Sequence, residues 1–199
     1  HWGVKRLKNF SSVVLGKMLC NEDKGNYDYK PYLKSKNIQW LNVNIDSVEN
    51  MWFSKYEQDI FRLKKGDLIL SEGGEVGKVC IWNDELAECY IQNSAHKVTV
   101  NTNNSSKYHL YNLFTAGKLG LFDSIVNKVS IGHLTREKLI NIFLPIPPIQ
   151  EQEQIVAYLD EVTGKIDQAI AQKQEQITKL KEYKQSLINE VVTGKVKVC

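Results

Sequence analysis

Ile166, Ile170, Lys173, Ile177, Leu180, Lys184, Leu187 and Val191 fall at alternating intervals of four and three, held over more than three heptads. Apolar side chains recurring at that interval form a coiled-coil seam, and a polar residue on the seam, here Lys173 or Lys184, sets register at a cost in stability. Gln172, Gln174, Glu175, Lys179, Lys181, Glu182 and Gln185 occupy the remaining faces and are at ease in water. At 1.5 Å per residue the stretch from Ile166 to Val191 reaches roughly 38 Å, about one turn of B-form DNA. A rod of that length needs a partner helix; the plainer alternative is a terminal helix folded back on its own domain. Pro145, Pro147 and Pro148 lead into it, so a helix is expected to begin near Pro148, with Glu151 and Glu153 favoured by the dipole of its first turns. Thr163-Gly164 is expected to divide a short first helix from the rod, and Gly194 to stop it.

The 199 residues therefore read as two parts, a globular body over 1–146 and a helical spacer over 147–199. The whole carries a net charge of +3; the helical part holds seven Lys/Arg against eight Asp/Glu, leaving nineteen against fifteen in the body. That excess allows a local basic face without proving one. Cys20, Cys80, Cys89 and Cys199 lack the paired spacing of a zinc site or disulfide framework, which points to a reducing cytosol. Cys80 and Cys89 sit in apolar runs suited to small buried thiols, although with His96 they could in principle meet at a metal. No apolar run has membrane-spanning length, and no basic segment followed by an apolar one opens the chain. His1-Trp2 begins abruptly, as if cut from something longer.

Along the body, Trp2 to Phe10 and Val13 to Leu15 suggest short opening strands. Residues 21–31 are rich in turn formers and predict an exposed loop displaying Lys24, Tyr27, Tyr29 and Lys30, which suits either a phosphate-and-base surface or a bare tyrosine-bearing loop. Tyr32-Leu33 and Ile38 to Val43 read as strands, and Glu57 to Leu63 as a helical turn or strand. Asp67 to Ser71 and Lys78 to Trp82 predict a strand pair joined across Glu72-Gly73-Gly74-Glu75-Val76-Gly77. Tyr90-Ile91 and Lys97 to Val100 add strands around Gln92-Asn93-Ser94-Ala95-His96, whose amides, hydroxyl and imidazole could read base edges or simply bond their own backbone. A helix is expected over Tyr108 to Leu121, ending around Gly117 to Gly120, then a polar loop over Lys128 to Thr135 and a last strand from Leu139 to Pro145.

Catalytic motifs fail on spacing. Only three residues separate Gly73 from Gly77, and Val79 stands where a phosphate loop needs a hydroxyl. Glu75 to Lys78 has one residue too many to place carboxylate and lysine on one strand face as a metal-dependent nuclease requires. Pro147-Pro148 lacks the flanking residues of an amino-methyltransferase site. No Ser/His/Asp or Cys/His set stands out.

In this order the segments resemble one half of a specificity subunit of a type I restriction-modification system. The likeness is strongest from Pro147-Pro148-Ile149-Gln150-Glu151-Gln152 through Leu180-Lys181-Glu182-Tyr183-Lys184 to Val192-Thr193-Gly194-Lys195, similar to the family's shared helical region. Leu15-Gly16-Lys17, Pro31-Tyr32-Leu33, Asn37-Ile38-Gln39-Trp40, Lys65-Gly66-Asp67-Leu68 and Gly74-Glu75-Val76-Gly77-Lys78 are similar to a target recognition domain. The resemblance implies an α+β fold, a mixed sheet-and-helix target recognition domain followed by a long coiled-coil helix. It also implies a non-catalytic subunit of the bacterial or archaeal cytoplasm that reads half of a bipartite site in double-stranded DNA. Modification subunits would dock on its helical region and bring S-adenosylmethionine, while a restriction (motor-nuclease) subunit brings ATP and Mg. A full subunit carries two such halves, so this chain is expected to pair with itself through its helices or to be a fragment.

Which residues touch DNA is read from side-chain chemistry alone. Lys24, Lys30, Lys34, Lys36, Lys55 and Lys78 are assigned to phosphates, and Tyr29, Gln39, Ser71, Gln92, Asn93, His96, Ser130 and His133 to base edges. The seam residues Ile166, Ile170, Ile177, Leu180, Leu187 and Val191 are assigned to helix pairing. Two rival readings exist: a coiled-coil interaction or regulatory protein whose basic body binds DNA or a partner without reading sequence, and a hydrolase built around residues 67–97.

Overall fold

Strand and helix boundaries follow the apolar periodicity closely through the middle of the chain. The computed structural model describes residues 1–126 and 132–198. In chain order it contains β1 (Gly3–Arg6), β2 (Ser11–Leu15), β3 (Asp28–Leu33), β4 (Ile38–Gln39), β5 (Asn42–Val43), β6 (Glu49–Phe53) and helix α1 (Lys55–Phe61). There follow β7 (Leu68–Ser71), β8 (Val79–Ile81), β9 (Tyr90–Ile91), β10 (Ala95–Val100), helices α2 (Ser106–Lys118), α3 (Leu121–Ile125) and α4 (Arg136–Ile140), strand β11 (Phe143–Ile146) and helix α5 (Ile149–Val192). The fold is α+β. The chain divides into two units, His1–Glu153 and Gln154–Cys199.

A four-stranded antiparallel sheet in the order β2-β10-β7-β8 centres the first unit. Leu68-Ile69-Leu70 is apolar without alternation because both faces of β7 are covered. Leu68 and Leu70 join Val79, Val98, Leu110, Leu113 and Phe122 in one core cluster, while Ile69 joins Cys80, Leu33, Ile38, Trp82 and Ile91 in another. A three-stranded sheet, β6-β3-β9, encloses a third cluster of Tyr32, Met51, Phe53 and Tyr90. Cys80 and Cys89 are fully buried thiols that donate to the carbonyls of Ile69 and Tyr90, and burial pushes the Cys89 thiol up to about 12. Among the described residues no three metal-ligating side chains converge.

Three expectations change. The loop predicted over 21–31 ends early, since Asp28 onward pairs antiparallel with β6, where Tyr29 packs on Trp52 across the strands with ring centroids 5.1 Å apart. The strand predicted from Leu139 is instead α4, because Thr135 caps the Lys138 amide and Leu139 turns into the core, leaving only Phe143–Ile146 to pair with β1. Thr163-Gly164 does not divide the helix, which runs unbroken from Ile149 to Val192; a single interior glycine costs only about 1 kcal/mol against alanine, too little to break a long run of good helix formers. Gly194, with φ +74°, does stop it. Its amide reaches Val191 O and that of Lys195 reaches Glu190 O, satisfying the last carbonyls in a Schellman arrangement.

The first unit runs to Glu153, and the opening turn of α5 is tied into it. Gln152 is almost fully buried. Its Oε1 accepts from the Ser105 amide at 2.9 Å, and its Nε2 donates to Asn104 Oδ1 at 3.0 Å and Pro147 O at 2.9 Å. Gln152→Ala removes the partners of the Ser105 amide and the buried Pro147 carbonyl, so it is expected to cost about 1–3 kcal/mol in urea unfolding, against a few tenths for the neighbouring Glu153→Ala.

His109 supplies a pH dependence. Its ring stacks on Phe10 at 4.4 Å, fully buried, with neither nitrogen bonded among the described residues, and burial lowers its pKa to about 4. The unfolded chain protonates this imidazole near 6.5, so between those values the unfolded state holds more protons. Stability should be complete above pH 6.5 and fall by about 2–3 kcal/mol as pH drops towards 4. His109→Leu should shrink that slope in urea titrations between pH 6.5 and 4.5; an unchanged slope would contradict the assignment.

Candidate nucleic-acid interface

Four connecting segments meet beyond the end of β7, each set by a side chain that sequence patterning does not rank as structural. In the turn at Ser35–Asn37, buried Asn37 accepts from the Lys34 amide at 3.1 Å and donates to Asn44 O at 3.0 Å, so Lys34 and Lys36 project outward. In the loop between β7 and β8, Ser71 Oγ donates to Glu75 O at 2.6 Å and accepts from the Lys78 amide at 3.0 Å. Gly77 closes that loop with φ +79°, and a Cβ there would lie 2.1 Å from the Phe122 ring. In the turn between β9 and β10, Gln92 Oε1 accepts from both the amide and the hydroxyl of Ser94, at 3.1 and 2.6 Å. Leading into α4, the Leu134 amide donates to Glu72 O, and Leu134 O bonds His96 Nε2 at 2.6 Å.

Cross-links join the four. The Ser35 amide donates to Ser94 Oγ at 2.9 Å and the Glu72 amide to Ser94 O at 2.8 Å. Lys78 Nζ donates to Gln39 Oε1 at 3.2 Å, Trp40 Nε1 to Glu75 Oε1 at 2.6 Å, and His133 Nδ1 lies 2.8 Å from Glu72 Oε2. Lys34, Lys36, Gln39, Lys78, Gln92, Asn93 and His133 therefore share one connected group of loops. Such loops, displayed from a rigid sheet, can offer amides and an imidazole to base edges and lysines to phosphates.

Two assigned residues leave the set. Ser71 and His96 are fully buried, the hydroxyl bonded to Glu75 O and the imidazole Nε2 to Leu134 O, so neither side chain is presented at the surface. Ser130 lies outside the described residues. Lys24, Tyr29, Lys30 and Lys55 belong instead to the part built on β3, β6 and α1: Lys30 pairs with Glu88 at 2.6 Å, Lys55 with Asp28, and Lys24 lines a shallow cavity with Tyr27 and Lys17.

Sequence reasoning missed the residues that organise the cluster electrically. Glu49 accepts from both Lys34 and Lys36, and those two bonds with a third from Tyr32 hold its carboxyl down to about 2. Lys78 and then Trp40 hold Glu75 below the usual carboxylate range. Lys118 sits 4.2 Å over the Trp40 ring, a cation–π contact from a helix far off in sequence that no spacing rule would reveal.

The sequence matches the model of the type I restriction modification DNA specificity domain over residues 1–179. The chain belongs to that family. It is 29% identical over 147 residues to a putative type I restriction enzyme specificity subunit of Haemophilus influenzae, S.HindORF215P, covering 71% of this chain and 36% of that protein. The specificity-domain fold recurs in solved structures. A chain from work on complex assembly and conformational transition of the type I R-M system aligns with TM-score 0.71 and 20% identity, covering 95% of this chain and 45% of that one. The HsdS subunit of Thermoanaerobacter tengcongensis aligns with TM-score 0.63 and 20% identity over 95% of this chain and 44% of that one. The chain thus spans less than half the length of these relatives.

The specificity domain's family-like Leu15-Gly16-Lys17 gains a physical reason. The amides of Gly16 and Lys17 donate to Ala95 O and Ile91 O, while Lys17 O accepts from Asn93, so this segment straps the interface turn in place. A Cβ on Gly16 would lie 2.3 Å from Gln92 O, a backbone atom with nowhere to go. Gly16→Ala is expected to cost about 2–3 kcal/mol in thermal or urea unfolding and to speed amide exchange at Asn93; wild-type stability would show that the strap is not tight.

Proposed function

We propose that this chain reads one part of a bipartite duplex target for a type I restriction-modification enzyme, and that its helical unit docks modification subunits and pairs with a second helix of the same kind. What carries the reading is the convergence of Lys34, Lys36, Gln39, Lys78, Asn93 and His133 on one set of loops in a member of the DNA specificity domain family. Gln39 and Asn93 each offer a donor and an acceptor, the pairing that adenine edges require, and His133 offers one or the other by tautomer. Lys34, Lys36 and Lys78 would fix position on the phosphates. The patch with Lys24, Tyr29, Lys30 and Lys55 would extend the footprint along the backbone. Gln92 holds the turn rather than the base.

On this reading the chain is not catalytic. S-adenosylmethionine belongs to the modification subunits, and ATP and Mg to the restriction subunit. The helical unit supplies the assembly surface: Ile166, Ile170, Ile177, Leu180 and Leu187 are between 42 and 66% exposed, and Val191 is partly exposed. An exposed apolar stripe of that kind, interrupted only by Lys173 and Lys184, calls for a partner. The seam period supports a helix of matching seam chemistry as that partner.

Two outcomes test the reading. Replacing Gln39, Asn93 and His133 together with alanine should relax the selected sequence at one or more positions, since each lost base-edge pair removes about 1–3 kcal/mol of discrimination, while the unfolding midpoint stays near wild type. An unchanged preference would remove these loops from the site. Ile177→Asp or Leu180→Asp should lower the mass seen by light scattering or abolish co-purification with the modification subunit, and normal assembly by both would contradict the seam.

A further inference from the structure

Lys34 and Lys36, assigned to phosphates, are not idle in the free chain. Lys34 Nζ lies 2.7 Å from Glu49 Oε2 and Lys36 Nζ 2.8 Å from Glu49 Oε1, so one carboxylate holds both cations, one on each oxygen. The Tyr32 hydroxyl adds a third bond to Oε2 at 3.0 Å. Two lysines converging on two oxygens of one anion is the arrangement a phosphate diester, with its two non-bridging oxygens, would take in the same place. The cluster borders the loops described above, because the turn carrying both lysines is tied to Ser94 through the Ser35 amide. Glu49 opens β6, where its backbone pairs with Tyr32, so strand formation does not depend on its side chain.

We propose that Glu49 is a built-in competitor for DNA phosphate, occupying Lys34 and Lys36 in the free chain and so lowering sequence-independent affinity; this rests on the DNA-reading function above. All three side chains are about a third to a half exposed, and ion pairs in that setting are weak and screened by salt. The density of charge along a duplex can therefore take the lysines from Glu49, but each transfer leaves a carboxylate beside the phosphates. Because phosphate contacts carry no sequence information, the affinity withheld in this way is background affinity. The carboxylate remains ionised across the working range, being held down chiefly by Lys34, so the competitor does not switch off with mild acid.

The test is binding of the full chain, with the modification subunit present, to random duplex DNA across a salt series. Glu49→Gln keeps an acceptor for Tyr32 but removes the charge. It should bind roughly three- to tenfold tighter near 0.1 M salt, with the log–log salt slope steeper by about 0.9, as expected for one further uncompensated charge. Glu161→Gln, which changes net charge equally by removing the carboxylate paired with Lys165 in the helical unit, should leave both nearly unchanged. Adding Lys34→Met and Lys36→Met to Glu49→Gln should abolish the gain. A gain that survives in the triple variant, or one matched by Glu161→Gln, would overturn the proposal by showing a general charge effect. If Glu49→Gln only lowers the unfolding midpoint and leaves binding alone, Glu49 is a structural brace and the proposal fails, while site selection by the wild type would keep the DNA-reading function standing. If the wild type selects no site yet the gain runs through the two lysines, the competitor stands and sequence reading falls.

Discussion

Strand β7 is the constraint on which the rest of the first unit depends. It pairs with β10 on one side and β8 on the other, and its alternate side chains enter two different cores. A strand so enclosed has no freedom of register, since a slip by one residue would exchange Leu68 and Leu70 with Ile69 between cores of different shape. Its end is therefore a fixed point. Ser71, the last residue, closes the following loop through its hydroxyl, and Glu72 bonds both the β9–β10 turn and the segment before α4 through its backbone. The interface loops are irregular in sequence yet defined in position, because they hang from one rigid strand and from one another.

The two units solve opposite problems. The first buries its apolar surface and bonds most of its hidden polar groups, Asn37, Asp67, Ser71 and Gln152 among them, while the imidazole of His109 is buried with neither nitrogen bonded among the described residues. The second leaves its apolar stripe in the open. A helix of that length gains little stability from propensity alone and most from packing one face, which is the physical ground for the proposal that this face takes a partner. In the candidate interface loops, Lys34, Lys36 and Lys78 all rest against carboxylates.

Much of this was legible in the sequence where one periodicity dominates. The β7–β8 pair, helix α2, the helix start beside Pro148 and the stop at Gly194 each follow from a local rule that nothing distant overrides. Legibility failed where distant partners decide. Whether Ser71 and His96 face a ligand or the interior depends on Glu75 and Leu134, which arrive from elsewhere in the chain. Asp28 becomes a strand only because β6 lies beside it, and Thr163-Gly164 remains helical because a glycine's weak penalty is outvoted by its neighbours. Side-chain chemistry alone picks the base-edge candidates, whereas placement among the described residues divides them into a connected set, one member of a separate patch and two buried braces. The pairing of two lysines with Glu49, and of Lys118 with Trp40, left no trace in residue spacing at all.

The central claim, that these loops read a sequence, is tested most directly by selection from a random duplex library at moderate salt, with and without the modification subunit, followed by sequencing of what is retained. The account predicts enrichment of a short fixed site. If helices of two copies pair, two inverted copies of that site should appear at constant spacing, because a two-fold protein imposes a two-fold target. Retained DNA of random sequence, even with the modification subunit bound, would contradict the account and leave a coiled-coil protein whose basic unit binds without reading.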